Sequence, residues 1–472
     1  GFVALIAAIG IGIGFGAGTW LGAGMARLYA KFFNFPFLVF SRSIDVYAIS
    51  AMVTLAAAIA GAARAVAGVA FLPPAVAMAP PAPVAYHKLL PTGPDLSRLF
   101  GQAQVIAARH LIRWPARTFG SIIGIAFGVA ILVGSLWSFG SVERMIEITY
   151  IRSDRQDASI NFGEARPQSA LFEIRRLPGV VQAEPYRTVP VKIRNGPRER
   201  RIQLSGKPPY PALSRVLDTE LAPIVFPDAE IVVSKQLADI LGVRLGDEVE
   251  IEIMEGKRAT LAGRVSAIHE GYLGLTAYME IGALNRLLGE GDVISGVHVQ
   301  LDAAGREDFL AAAKATPSAN FVALQKVSLK RFRETLAQNI NIMVTVYVCL
   351  AAIIAFGVVY NFTRISLSEQ GRELASLRVI GFTRAEVSGL LLSELFAIVL
   401  IAQPVGWLVG YGFALAMVQG FSTELYRVPL VVNTSVYAWA SIVVIAAALL
   451  SALLVRRRID RLDLVAVLKT RE

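Results

Sequence analysis

Residues 118–139 read TFGSIIGIAFGVAILVGSLWSF, an unbroken run with no charged side chain. A hydrocarbon core about 30 Å thick is crossed by roughly 20 helical residues, and this run has that length. Five further apolar runs fall at about 2–24, 46–70, 340–362, 387–418 and 436–455. The first is too long for a signal-peptide core and is followed by more spans, not by a cleavage site. The whole composition agrees with these runs: of 472 residues 55% are apolar and only 17% charged, with a mean hydropathy of +0.55. Soluble chains average about 25% charged residues, so a wholly soluble enzyme, a disordered chain and a nucleic-acid-binding arm are excluded. The expected fold class is an α-helical integral membrane protein with six spans and an α+β domain outside the cytoplasm. Because the sequence starts at Gly1 inside an apolar run, it is expected to lack upstream residues.

The net charge of +10 is spread in a way that marks membrane orientation, not a nucleic-acid partner. Lys88, Arg98, Arg109, Arg113 and Arg117 lie between spans two and three; Arg364, Arg372, Arg378 and Arg384 lie between spans four and five. After span six come Arg456, Arg457, Arg458, Arg461, Lys469 and Arg471, whereas the loop between spans five and six has only Arg427. Short loops rich in Lys and Arg stay in the cytoplasm, so the C-terminus is expected there and residues 141–338 outside. Arg27, Lys31 and Arg42 after span one weaken the contrast without reversing it. Trp114, Trp137 and Trp439 sit near expected interfaces, where an amphipathic ring is favoured. The single cysteine, Cys349, permits no disulfide within the chain.

Gly10, Gly14, Gly18 and Gly22 share one face of span one, and Gly406 and Gly410 one face of span five. Small residues at this spacing let helix backbones approach closely; a seam within the chain and a seam between copies fit equally. In 141–338, Val249, Ile251 and Ile253 alternate with Glu248, Glu250 and Glu252, the pattern of a half-buried strand. Glu255-Gly256 turns into a second strand near 261–265, and Asn195-Gly196 joins 189–194 to 200–204 as a hairpin. Helical patterns fall at 168–177, 234–241, 280–288 and 306–315. Mixed strands and helices argue for an α+β domain, long enough to build one or two cores without disulfides.

Catalytic and cofactor motifs are not found. Ser205-Gly206-Lys207-Pro208 lacks the upstream glycine and the hydroxyl of a P-loop. His269-Glu270 starts like a zinc-protease motif, but the second histidine is missing, and His87, His110 and His298 are scattered. No Gly-x-Ser-x-Gly elbow occurs. No cofactor or metal is therefore expected. Glu394, in Leu392-Ser393-Glu394-Leu395, is the one acid well inside an apolar run. Such a residue suggests proton relay or interhelical contact, and a helix start near Ala385 favours a place close to the cytoplasmic interface.

The segment after span two and the end of the chain align at a constant offset of 390: Tyr47 with Tyr437, Leu72 with Leu462, Met78 with Leu468. Pro36 and Pro429 precede the two spans three residues out of register. Spans one and two would then correspond to spans five and six. Residues 373–384, Glu-Leu-Ala-Ser-Leu-Arg-Val-Ile-Gly-Phe-Thr-Arg, with 391–394, Leu-Leu-Ser-Glu, resemble the hallmark of the FtsX-like ABC transporter permeases, of the MacB/LolC type. So does the ending 459–469, Ile-Asp-Arg-Leu-Asp-Leu-Val-Ala-Val-Leu-Lys, and Arg113-Trp114-Pro115-Ala116-Arg117-Thr118 is similar to the start of the second half of such permeases. Leu177-Pro178-Gly179-Val180, Ser234-Lys235-Gln236-Leu237-Ala238 and 241–247, Leu-Gly-Val-Arg-Leu-Gly-Asp, look like MacB-type periplasmic domains.

The resemblance implies two repeats and eight spans, of which this chain holds six. The expected domains are a truncated first repeat at 1–80, a cytoplasmic linker and amphipathic helix at 81–117, span three at 118–140, a periplasmic domain at 141–338, and a second permease domain at 339–472. It implies a coupling helix near 365–382 that docks on a separate cytoplasmic ATPase subunit. Leu367, Leu374 and Leu377 share one face of that helix while Arg372, Glu373 and Arg378 meet water or the partner; an interfacial helix lying on the bilayer is the competing reading. Gly381 would end the helix at positive φ, and Arg384 would open span five. The implied mechanism is mechanotransmission in a bacterial inner membrane, with membrane lipids, a periplasmic adaptor and a second copy or pseudo-symmetric half as further partners. A lipid, lipoprotein or other amphiphile would be exported or extracted. The alternative is a non-transporting transducer that regulates an envelope enzyme through its outside domain. An ion-coupled secondary transporter would need polar or broken helices at mid-membrane, and only Glu394, Gln403 and Pro404 offer that.

Overall fold

The computed structural model describes residues 2–33, 43–70, 107–108, 111–256, 258–316, 319–421, 424 and 427–459. The aligned segments 72–78 and 462–468, Pro36, the charged ending and most of the 81–117 linker lie outside the described residues. Among the described residues, six helices are long and apolar enough to cross a membrane. The chain divides into two compact units, Gly1–Pro94 and Asp95–Glu472.

The first unit is a pair of helices, α1 (Phe2–Phe33) and α2 (Ile44–Ala70). They meet where the Thr19 and Tyr47 hydroxyls share a 2.6 Å hydrogen bond and Phe15 sets its ring edge-on to Tyr47 at 4.8 Å. Buried Ala7 continues this face one turn at a time. A Cβ added at Gly10, Gly14 or Gly18 would meet nothing within 4 Å, so the α1–α2 contact does not use the small-residue face.

The second unit holds a four-helix bundle with a domain inserted between its first two helices. The bundle is α3 (Pro115–Ile146), a long helix Gln325–Val379, and the helices Arg384–Phe421 and Thr434–Ile459. Its core interleaves Ile125, Val129, Leu132 and Val133 with Ala351, Ala355, Val359, Leu395, Ile398, Ala402, Ala440 and Val444. Lipid gives no hydrophobic drive to helix association, so small residues that allow close approach carry the packing. A Cβ on Gly406 would lie 2.5 Å from Val129 Cβ, and one on Gly410 2.6 Å from Val133 Cβ. In this structure span five therefore seals against α3 within one chain.

The inserted domain runs β1 (Ala158–Pro167), α4 (Ala170–Arg175), β2 (Val180–Asn195), β3 (Arg198–Lys207), β4 (Glu230–Ser234), α5 (Lys235–Leu241), β5 (Glu248–Ile253), β6 (Thr260–His269), β7 (Thr276–Glu280), α6 (Ile281–Leu288), β8 (Val293–Leu301), α7 (Arg306–Ala315) and β9 (Ala319–Leu324). The strand order is β3-β7-β4-β6-β5-β2-β8-β1-β9, and β3 also pairs with β2. Six strands thus close into a small barrel, which removes their free edges. Long β2 belongs to two layers: residues 187–195 pair with β3, and 180–186 pair with β8. Each layer has its own core. Val189, Val191, Ile193, Ile231, Ile251 and Met279 fill the barrel, and Ile160, Ile174, Val297, Val299 and Phe309 fill the second layer.

Local sequence signals account for most of these elements. The Asn195-Gly196 turn gives the β2–β3 hairpin, with Asn195 opposite Arg198. The glutamates of β5 face out while Val249, Ile251 and Ile253 are buried. Ser234 caps α5 by accepting from the Leu237 amide, and Glu280 caps α6 by accepting from Gly282 and Ala283. We name the remaining bundle helices α8 (Gln325–Val379), α9 (Arg384–Phe421) and α10 (Thr434–Ile459). The sequence sets a boundary between span four and a separate helix at 365–382; the backbone has none there. Thr363-Arg364-Ile365-Ser366 contains no glycine or proline, so the i to i−4 ladder continues through it. At 1.5 Å per residue α8 is roughly 80 Å long.

Candidate functional site

The far end of α8 carries the expected coupling segment. Arg372, Glu373, Leu374, Leu377 and Arg378 lie on its last helical stretch, and Arg384 opens α9; their side chains lie outside the described residues. The helix ends at Val379, and Gly381 takes φ +114°, a conformation that glycine adopts without steric cost. Thr383 and Glu386 then form a capping box: the Glu386 carboxylate accepts from the Thr383 amide at 2.7 Å, and the Glu386 amide donates to Thr383 Oγ1 at 3.3 Å. This sharp turn presents Val379 (76% exposed), Ile380 (75%) and Phe382. The start of α3 is tied to α8 where the segment begins. Arg117 donates to the buried Ser366 hydroxyl, and its guanidinium lies 4.7 Å from the centre of the Phe362 ring.

At the other end α3 and α8 meet the inserted domain at one place. A π-helical stretch, Glu147–Ser153, extends α3 to Asp154. Such stretches are rare and concentrate at functional sites. The Gln325 amide, first in α8, donates to Asp157 O at 2.9 Å, and its side-chain amide reaches Asp154 O at 3.5 Å. Above this junction Lys207 is buried. Its ammonium donates to Ser214 O (2.9 Å) and Oγ (2.7 Å) and sits 4.6 Å from the centre of the Tyr278 ring, while Ser214 Oγ donates to Asp154 at 3.1 Å. Burial lowers the Lys207 ammonium to about 8, against the pull of Asp154 and Glu184. Burial, and then Lys207, hold His269 down to about 4; burial and the Asp154 charge push Tyr278 up to about 12. Glu184 pins the loop between β3 and β4 by accepting from the Ala212 and Leu213 amides at 2.8 and 2.9 Å. In that loop Leu221 takes φ +66° and packs with Met145, Ile148, Leu217, Tyr272 and Phe332.

Glu394 is 1% exposed, with Leu391 and Leu395 buried on either side of it in α9. His269 spends its Nε2 on Thr276 Oγ1 at 2.9 Å, and Glu270 pairs with Arg427. Among the described residues no group of three His, Cys, Asp or Glu is placed to hold a metal ion. Two features of this site were not found by reading the sequence. In the sequence Lys207 stands out only as part of a failed P-loop fragment; it ends a strand whose first half is charged and exposed, so nothing local signals its burial. In the sequence Arg427 bears only on orientation; its signal is that it is the lone arginine of the loop between spans five and six.

A long bundle helix with an exposed apolar turn at one end and a barrel-bearing α+β domain at the other is the architecture of a membrane permease that carries a large outside domain. Residues 345–464 match the family model of the FtsX-like permease C-terminal region, and residues 118–316 that of the MacB-like periplasmic core domain. Together the matches span well over half of the chain, and it belongs to this FtsX/MacB-like permease family. Its general role is that of an ABC-transporter permease, and the inserted domain is extracytoplasmic. Among solved structures the chain is similar to the extracellular domain of the noncanonic ABC-type transporter YknZ from Gram-positive bacteria, at 16% identity and TM-score 0.26, over 36% of this chain and 98% of that one. It is also similar to the periplasmic region of MacB from Actinobacillus actinomycetemcomitans, at 11% identity and TM-score 0.28, over 40% of this chain and 95% of that one.

Proposed function

We propose that the chain works by mechanotransmission with a separate ATPase subunit, and that it extracts or exports a lipid, lipoprotein or other amphiphile from the outer side of the membrane. The observation that carries this reading is α8. One unbroken helix runs from the last strand of the outside domain to a turn that exposes Val379, Ile380 and Phe382. An apolar knob flanked by the charged segment 372–378 suits docking on a cytoplasmic protein, and a rigid helix passes displacement along its length. Arg372, Glu373, Leu374, Leu377, Arg378, Gly381 and Arg384 are the residues assigned to that contact, with the C-terminus on the same, cytoplasmic side. The bundle core is closely packed and mostly apolar, with Glu394 and Gln403 of α9 buried in it, and that close packing favours a substrate handled at its outer surface over one passed through a pore. The open Gly10, Gly14 and Gly18 face of α1 suits packing against a second copy, and the outside domain offers an adaptor its surface.

The test is co-purification with the ATPase subunit encoded beside the chain, scored for complex and turnover. Leu377→Asp and Arg378→Glu are expected to lose the subunit or uncouple its turnover while the permease stays folded. Wild-type behaviour of both variants would defeat the reading.

A further inference from the structure

Residues 212–226 belong to the loop between β3 and β4 and lie between the bundle helices and the barrel. On one side Leu217 and Leu221 pack with Met145 of α3, Ile148 of its π-helical extension, Phe332 of α8 and Tyr272. On the other side Val216, Ile224 and Phe226 pack with Val232 of β4, Ala267 of β6 and Tyr278 of β7. Val216 and Leu217, both buried, thus face opposite bodies, as successive residues of an extended chain do. The preceding stretch 213–215 pairs with the end of the α3 extension. The Arg155 amide donates to Leu213 O at 2.7 Å and the Arg215 amide to Ser153 O at 2.9 Å, with Ser214 opposite Asp154. From the barrel, Lys207 at the end of β3 donates to both oxygens of Ser214, whose hydroxyl donates on to Asp154. An ammonium, a hydroxyl and a carboxylate therefore run in series from barrel to loop to helix end, with Lys207 6% and Ser214 4% exposed.

The tip of the loop is strained. Leu221 takes φ +66°, a conformation costly for a leucine and kept only where the surrounding structure enforces it. Two contacts enforce it here. The Asp218 carboxylate accepts from the Glu220 and Ala222 amides at 2.8 Å each, and Leu217 O accepts from the Glu270 amide, just past β6, at 3.0 Å.

We propose that residues 212–226 are the element that receives motion from α3 and α8, and that the Lys207–Ser214–Asp154 series is the joint that carries it into the barrel. A shift of the helix end takes 213–215 with it, because the pairing cannot slip without breaking both backbone hydrogen bonds. The loop then bears on three neighbouring strands, in the order β3, β7, β4, through Lys207, Tyr278 and Val232. Apolar packing is non-directional and resists separation more than sliding. A buried ammonium held by a carbonyl and a hydroxyl fixes direction as well. Lys207 is a positioning residue in this scheme. The inference rests on the mechanotransmission reading and names the residues that complete it on the outer side.

The experiment uses the full chain with its ATPase subunit in lipid nanodiscs. Spin labels replace exposed Leu245 in the barrel and exposed Ser435 at the start of α10, with Cys349→Ser to remove the native thiol. The distance distribution is read with and without ATP. Lys207→Met keeps the apolar stem and removes the ammonium. It is expected to keep the complex and its basal hydrolysis within about twofold and to lose more than half of the ATP-dependent shift. Phe309→Leu, in the buried core of the second layer and away from the loop, destabilises the domain and is expected to keep the shift. The wild type adds a pH profile. Burial lowers the Lys207 ammonium to about 8, so it is charged at pH 7 and mostly neutral at pH 9, and the shift should fall by more than half between them. The groups that face it are Asp154, Glu184, His269, His298 and Tyr278; the histidines, at about 4 and about 3, and the tyrosine, at about 12, titrate outside that window. A full shift in Lys207→Met, or an equal loss in Phe309→Leu, overturns the joint while the coupling reading stands. If Lys207→Met does not assemble, the profile decides, and a wild-type shift unchanged at pH 9 overturns the joint. A wild type that binds no ATPase, or shows no shift at pH 7, overturns both readings, so the two failures are distinguishable.

Discussion

Replacing Gly406 with alanine would set a methyl carbon 2.5 Å from Val129 Cβ and 2.9 Å from the Ala126 carbonyl oxygen. At Gly410 the new carbon would lie 2.6 Å from Val133 Cβ and 3.0 Å from Ala130 Cα. None of these atoms is the free end of a flexible side chain, so relief requires α3 and α9 to separate. Carbon atoms in contact sit about 3.5–4.0 Å apart, and a gap of 0.5–1 Å already forfeits a quarter to a half of each neighbouring contact. Overpacking of this kind costs about 1–3 kcal/mol per site. The same substitution in a helix position with free space gains up to about 1 kcal/mol from propensity. Gly389 and Gly412 supply that control, since a Cβ on either meets nothing within 4 Å. The expected gap between seam and control variants is therefore roughly 2 kcal/mol, about a thirtyfold change in the folded-to-unfolded ratio. Reversible unfolding in mixed detergent micelles reads it directly. Equal stability of Gly406→Ala, Gly410→Ala, Gly389→Ala and Gly412→Ala would refute the seam.

The outside domain is expected to weaken in acid. Burial holds His269 down to about 4 and His298 to about 3, against an ordinary value of 6.5. Below pH 6.5 the unfolded chain takes up protons that the folded domain refuses, so stability falls by about 1.4 kcal/mol per pH unit for each histidine down to about pH 4. Thermal unfolding between pH 7 and 4.5 checks this, and His269→Gln should remove about half of the slope. Glu184→Ala leaves the Ala212 and Leu213 amides without their acceptor. Hydrogen exchange at those two amides should speed up by about ten- to a hundredfold, on a loss of about 1–3 kcal/mol, while the barrel strands stay protected.

What the sequence made legible was local. The Asn195-Gly196 hairpin, the alternation along β5 and the helices 234–241 and 306–315 all depend on neighbours a few residues apart, and they stand where their patterns put them. The six spans were legible for the same reason, since length and apolar content are properties of a single run. Barrel closure was not, because it needs the parallel pairing of β3 with β7 across some seventy residues, and alternation cannot choose a partner. The glycine spacing in span five signalled a close approach but could not name α3 as the neighbour. Arg427 and Glu270 lie 157 residues apart, so their pairing emerges only once the domain stands on the bundle. The continuity of α8 was hidden by its change from apolar to charged residues, which ends a hydrophobic run and not a helix.

The most direct measurement is the distance between spin labels at exposed Leu245 in the barrel and exposed Ser435 at the start of α10, with Cys349→Ser removing the native thiol, read in the complex with and without ATP. If ATP acting on the cytoplasmic side moves the outside domain, the distribution shifts, and Leu377→Asp abolishes the shift. An unchanged distribution, with the ATPase bound and turning over, would contradict mechanotransmission.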